Sequence, residues 1–259
     1  MMKKIESIQN RYVKNWTKLK TKKGRKIQQS YLLEGWHLVK EALLAQIKLQ
    51  VILVTADFKE QAELTKLINQ EQQLILISPV IAEKISDTGH PQGIFAIAAL
   101  EKSLAEIPAE LAGKWLLLDN VQDPGNIGTM VRTADAAGFS GVVFGRGTAD
   151  LFQPKVVRSM QGSQFHIRLF TGNLSDWLTA FAQSGYPVWG TEVSAQALDY
   201  RQVKRTHNFA LIMGNEGNGV DFQLLKQTTQ NIYIPIYGQA ESLNVAVAAG
   251  ILMFQLSNY

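Results

Sequence analysis

Apolar positions along the chain recur either at helical spacing or in short runs, and the order of the two predicts the architecture. In the first hundred residues SYLLEGWHLVKEALL (Ser30–Leu44) has helical spacing, Gln50–Val54 reads as a strand and Lys59–Asn69 as a helix. Leu74–Ser78 is a predicted strand, Pro79–Ser86 a short helix, and His90–Gly93 a turn before the strand Ile94–Leu100. This is a small α/β unit of about 100 residues. Residues 101–114 carry no clean strand and read as a connection between domains.

The second half repeats the alternation with firmer punctuation. Trp115–Asp119, Gly141–Phe144, Ile167–Phe170, Val188–Thr191 and Phe209–Met213 are predicted strands. Between and after them Ile127–Ala137, Pro154–Met160, Leu174–Gln183 and Phe222–Lys226 are predicted helices, so the pattern implies a parallel sheet covered on both faces. In the tail, Ile232, Ile234 and Ile236 alternate like a short strand, and from about Leu243 apolar residues run almost unbroken for a helix's length. A helix of about 14 residues is too short to span a bilayer, so its apolar circumference points to a domain interior or a subunit interface.

Composition narrows the class. The 259 residues are 46% hydrophobic and contain no cysteine, which removes disulfides, thiolate nucleophiles and Cys-based zinc sites. Mean hydropathy is −0.04, no apolar run reaches transmembrane length, and no apolar signal core opens the chain, so a cytoplasmic protein is expected. His37, His90, His166 and His207 are scattered without ligand spacing, and no metal is expected. Charge is concentrated. Residues 1–30 hold ten Lys or Arg against Glu6 alone, a balance of +9 where the whole chain carries +4, so the rest sums to −5. Lysines beside Tyr12 and Trp16 suit a phosphate backbone with occasional base stacking; a solvated helix face is the plainer alternative, and a transit peptide a weaker one because Ser is sparse and Lys outnumbers Arg.

Three loops follow predicted strands in the second half, where open parallel sheets bind ligands. The first leads from Asp119 through Pro124, Gly125 and Asn126, a potential helix cap, to Arg132 two turns in. The second, Met213–Val220, has three glycines in six residues around Glu216, whose carboxylate needs a hydrogen-bonding partner. The third, Gly238–Asn244, brings Ser242 and Asn244 to a helix start, where an ordinary N-cap is the alternative to a ligand contact. GxxxxGK[ST] is absent, as is an early GxGxxG, which excludes a P-loop NTPase and disfavours a dinucleotide enzyme or a Rossmann-type methyltransferase.

NVQDPGNIGTMVRTADAAGF, IMGNEGNGV and IPIYGQAESLNVAVAAGILMF resemble, in order and spacing, the three motifs of the SpoU (TrmH-type) RNA ribose 2'-O-methyltransferases of the SPOUT superfamily. The resemblance spans about residues 113–257. YLLEGWHLVKEAL and SDTGHPQGIFAIA are similar to that family's substrate-binding domain, with less specific motifs. The fold so implied is a parallel-sheet SPOUT domain with a C-terminal trefoil knot (103–259), preceded by a small α/β domain like certain ribosomal proteins (1–102).

By the same resemblance, S-adenosylmethionine is the cofactor, held by Met213, Gly214, Ile234, Leu243 and Thr191. Catalytic positions carry over to Asn126, Arg132, Glu216, Ser242 and Asn244. Arg132 is the residue usually cast as base in the family, although a guanidinium so rarely loses its proton that gripping the phosphate beside the target ribose is the easier chemistry. Family members are homodimers. The implied function is methylation of a ribose 2'-hydroxyl in large-subunit (23S) ribosomal RNA, with transfer RNA as the alternative substrate and a non-catalytic RNA-binding assembly factor as the alternative class.

Overall fold

The computed structural model describes residues 3–69, 72–100 and 103–257; the expected boundary at Lys102 falls outside them. The chain forms two compact units, Met1–Glu101 with Asp150–Phe165, and Lys102–Ala149 with His166–Tyr259. The sequence placed 150–165 in the second domain, yet these residues pack within the first unit.

The first unit opens with β1 (Lys3–Ile5), α1 (Arg11–Lys18) and α2 (Lys22–Gln28), elements the lysine-rich composition had masked. Then come β2 (Ser30–Glu34), α3 (Trp36–Leu44), β3 (Leu49–Val54), α4 (Gln61–Leu67), β4 (Leu74–Ile77), α5 (Pro79–Ile85) and β5 (Ile94–Ala99). The predicted helix over Ser30–Leu44 is thus a strand followed by a helix. All five residues of β2 are buried, so no alternation announces a strand. Gly35, at φ 93°, breaks the run where a side chain would be strained. The sheet order is β1-β4-β3-β5-β2, with β5 antiparallel to both neighbours and the other pairs parallel.

Val13, Trp16 and Leu19 point into this unit's core with Ile5, Leu53, Ile81 and Phe95. Hence the basic N-terminal stretch is a structural part of the unit. Arg25 does not belong to a basic surface at all. It is 4% exposed, donates to the Leu19 and Lys20 carbonyls, and pairs with Asp150 at 3.0 Å.

The second unit holds β6 (Lys114–Leu118), α6 (Pro124–Ala136) and β7 (Gly141–Gly145); the chain then gives α7 (Pro154–Ser159) to the first unit. It returns with β8 (Arg168–Gly172), α8 (Leu174–Gln183), β9 (Val188–Thr191), β10 (Leu198–Asp199), β11 (Phe209–Met213), α9 (Phe222–Leu225), β12 (Gln230–Tyr233) and α10 (Val245–Ser257). Seven strands form one sheet, β10-β12-β9-β11-β6-β7-β8, and every pairing is parallel. Trp115, Trp177 and Phe181 fill one side of its core, with the two indoles 5.5 Å apart.

One expectation for the tail needs correction. β12 stops at Tyr233, because Pro235 cannot donate to a ladder and only Ile232 of the three isoleucines is in the strand. α10, apolar apart from Gln255 and Ser257, has one covered face within this chain. Ala246, Ala249, Leu252, Met253 and Leu256 are buried, whereas Val247 and Phe254 are about half exposed (53% and 48%).

Candidate active site

The parallel register brings the carboxyl ends of β6 and β11 side by side, Leu118 opposite Met213, and sets Thr191 of β9 opposite Ile232 of β12. The three loops foreseen from the sequence leave the sheet at this end, where strand ends stop and helix N-termini begin. Pro124 occupies the first turn of α6, and Asp123 is its cap, its Oδ1 accepting from the Asn126 N–H at 2.9 Å. Asn126 is therefore not the cap and its side chain is free for another task.

That task is to join all three loops. Asn126 Nδ2 donates to Glu216 Oε1 at 3.0 Å, and Asn126 Oδ1 accepts from Asn244 Nδ2 at 3.0 Å. Glu216 also accepts from the backbone N–H groups of Asp123 (3.1 Å) and Gln122 (3.3 Å). Asn244 caps α10, its Oδ1 accepting from Ala246 and Val247. The direction of the chain of bonds is fixed at both ends: a carboxylate can only accept, and so can the oxygen facing helix N–H groups. Burial pushes the Glu216 carboxyl up, but the hydrogen bonds from Asn126 and from backbone N–H groups outweigh it and hold it below the usual carboxylate range.

The glycine-rich loop is folded on itself by Asn215. Its backbone pairs with Gly219 in both directions, its Oδ1 accepts from Gly217 and Asn218, and its Nδ2 donates to the Asn120 carbonyl at 2.9 Å. Gly214 is required here, since a Cβ would lie 2.1 Å from the Gly219 carbonyl carbon and 2.2 Å from the Val220 nitrogen. Asp119, which the sequence reading passed over, closes the base of the loop by accepting from the Asp221 N–H at 2.7 Å. Burial, with the Asp221 charge adding to it, raises the Asp119 carboxyl above its ordinary value despite that bond. Neither Asp119 nor Asn215 had a sequence signal beyond its place beside a predicted loop.

These loops wall a cavity of about 300 Å³. Thr191, Met213, Gly214, Ile234 and Leu243, the five positions expected to hold a cofactor, all line it, as do Glu216 and Ser242. Glu192, Ile236 and Leu252 line it without having been foreseen. The Thr191 hydroxyl donates to the Ile212 carbonyl at 2.9 Å, which ties β9 to β11 at the cavity floor. Arg132 is exposed on α6 and does not line the cavity; among the described residues nothing pairs with its guanidinium. Asn126 and Asn244 brace the loops from outside the lining.

An amphiphilic cation suits these walls. Ile232, Ile234, Leu243 and Leu252 offer an apolar surface, and the acidic residues Glu192 and Glu216 are also part of the wall. The volume is at the small end of ligand pockets, about 300–1,000 Å³.

Residues 114–254 match the model of the SpoU rRNA Methylase family, and residues 10–96 match an MRM3-like substrate binding domain. The chain is 46% identical, over 98% of its length and 99% of the relative's, to the 23S rRNA (guanosine(2553)-2'-O)-methyltransferase RlmP of Bacillus subtilis (strain 168). The fold superposes on an AdoMet-bound rRNA methyltransferase from Sinorhizobium meliloti with a TM-score of 0.87 and 31% identity, covering 98% and 97% of the two chains. An RNA 2'-O ribose methyltransferase gives a TM-score of 0.82 at 30% identity over the same shares. With its family model spanning more than half of its length and its relatives matched nearly end to end, the chain belongs to the SpoU rRNA methylase family.

Proposed function

We propose that the protein methylates a ribose 2'-hydroxyl of 23S ribosomal RNA in the cytoplasm, with the cavity of the second unit holding S-adenosylmethionine. The observation that carries this reading is the convergence of three loops on one amphiphilic cavity in a chain 46% identical to a 23S rRNA 2'-O-methyltransferase. Residues 1–102 are assigned to RNA recognition and 103–259 to methyl transfer. The same reading threads the C-terminal segment through a trefoil knot around the cavity.

Met213, Gly214, Ile234, Leu243 and Thr191 hold the cofactor by backbone groups and apolar walls. When bound, S-adenosylmethionine supplies a methyl group made electrophilic by its sulfonium. Glu216 and Asn126 keep the loops in one arrangement before the cofactor arrives, so less ordering is left for binding. Ser242 is exposed at the cavity edge, placed to meet the ribose. Arg132, exposed and without a partner among the described residues, grips the phosphate beside the target ribose and aligns the hydroxyl.

The uncovered face of α10, with Val247, Ile251 and Phe254 spaced four and three residues apart, is covered by a second copy of the chain, making the enzyme a homodimer. The test of the function is methyl transfer from labelled S-adenosylmethionine to 23S ribosomal RNA and, separately, to transfer RNA. Label enters 23S RNA as a ribose methyl and falls about a hundredfold in Arg132→Ala, while cofactor binding is retained. Label in transfer RNA alone, on a base, or in neither RNA refutes the proposal.

A further inference from the structure

The first unit contains a larger cavity, about 690 Å³, with a different chemistry. Its walls come from the first turn of α3, the loop between β3 and α4, α5 and the loop between α5 and β5. The loop and turn are braced: Gln92 Oε1 accepts from the Trp36 N–H at 2.8 Å, and the Thr55 N–H donates to the Gly93 carbonyl at 2.8 Å. Trp36 is half-buried in the wall and meets Phe58 edge-on at 5.6 Å. Such an indole is held firmly enough to serve as a stacking platform.

The charges around it exclude a phosphate. Asp57, Glu60 and Glu83 stand against Lys59 alone, so an anion is repelled, whereas a neutral group rich in N–H donors is welcomed. The Thr55 hydroxyl and the Asp57 backbone hold the Asp57 carboxyl below the usual carboxylate range, so it stays an acceptor. The Gln92 amide nitrogen has no partner among the described residues and adds a donor. Phosphates have another place to bind, since Lys14, Lys18, Lys22, Lys23 and Lys26 are exposed or half-exposed on α1 and α2 of the same unit.

We infer that this cavity takes one unpaired nucleobase of the RNA, stacked on Trp36 and read along a donor-bearing edge by Asp57 and Glu60. The inference rests on the RNA methyltransferase reading and divides the labour within the first unit: lysines on the phosphates set position, and the cavity reads a base. A base with two adjacent N–H donors and a neighbouring acceptor, as guanine has, matches a wall that holds both carboxylates and the Gln92 amide.

The test uses the full-length protein with purified 23S ribosomal RNA. Trp36→Ala raises the Kd for RNA about tenfold, as loss of one base–aromatic stack does. Trp36→Phe restores binding, and neither variant changes the salt dependence of binding or the affinity for S-adenosylmethionine. Ultraviolet cross-links in the wild-type complex map to peptides containing Trp36 or His90. If Trp36→Ala fails to fold, Asp57→Asn, at an exposed position, gives the same directional loss. RNA affinity unchanged in both variants, or cross-links confined to other peptides, overturns the inference while leaving methyl transfer intact. Loss of affinity in an enzyme that transfers no methyl group overturns the function and leaves this cavity as an RNA site. A wild type that binds no RNA overturns both.

Discussion

Replacing Glu216 with Ala removes the acceptor of three hydrogen bonds, from Gln122, Asp123 and Asn126, and so uncouples the glycine-rich loop from the start of α6. A bond to a charged group contributes about 1.5–3 kcal/mol when buried. Here the carboxylate is reached by water, which replaces most of each bond, so about 0.5 kcal/mol apiece is the right scale and about 1–2 kcal/mol the sum. If that ordering has to be supplied on binding, the Kd for S-adenosylmethionine rises roughly 5–30-fold, at about 1.4 kcal/mol per tenfold. Titration calorimetry on wild type, Glu216→Ala and Glu216→Gln measures it directly. Because the folded state holds the Glu216 carboxyl below its ordinary value, its contribution to stability is complete above the ordinary carboxylate range. That contribution disappears as pH falls through the folded value, and Glu216→Gln flattens this acid limb of the thermal-stability profile. Cofactor affinity within twofold of wild type in Glu216→Ala, with an unchanged acid limb in Glu216→Gln, would refute the bracing role.

Gly214→Ala forces a methyl group into the Gly219–Val220 backbone, so cofactor binding is lost by calorimetry while circular dichroism still reports folded protein; retained affinity would contradict the geometry. Neutralising exposed lysines of α1 and α2 one at a time to Gln lowers the slope of log K against log salt by about 0.7–0.9 per phosphate contact, and an unchanged slope counts against a phosphate-binding face. Phe254→Asp puts a charge on the uncovered face of α10 and gives a monomer in sedimentation, whereas a wild type that is itself monomeric rules out the dimer.

What the sequence made legible was local. Most of the second unit's strands, helices and loops were readable because its turns are marked by Gly, Pro, Asn and Asp; β10, two residues long, was not. Four of the five expected cofactor positions, Thr191, Met213, Gly214 and Ile234, lie at or just past strand ends in a parallel sheet, where register gathers them, and Leu243 joins them from the loop before α10. The misreadings came from burial and from distant partners. Ser30–Glu34 lacks alternation because both faces are covered. α1 hides its buried stripe, Val13 and Trp16, among lysines. Arg25 counted as surface charge until Asp150 appeared beside it. Asn126 looked like a cap, and only the positions of Glu216 and Asn244 show that it links them.

The excursion of residues 150–165 into the first unit governs the order of events during synthesis. Arg25 and Glu34 are nearly sealed from water, and their partners, Asp150 and Arg158, come later: Asp150 follows Arg25 by 125 residues. At about 5–20 residues per second, the emerging N-terminal segment waits roughly 6–25 s before it can neutralise that buried guanidinium. A fragment ending at residue 101 leaves Glu34 with the Ser86 and Thr88 hydroxyls and the Asp87 N–H, but leaves the Arg25 guanidinium with two carbonyls and no carboxylate, an arrangement in which that buried charge works against the fold. The first unit, continuous on sequence grounds, therefore finishes folding only after residues 102–149 of the second have been made and 150–165 have followed them.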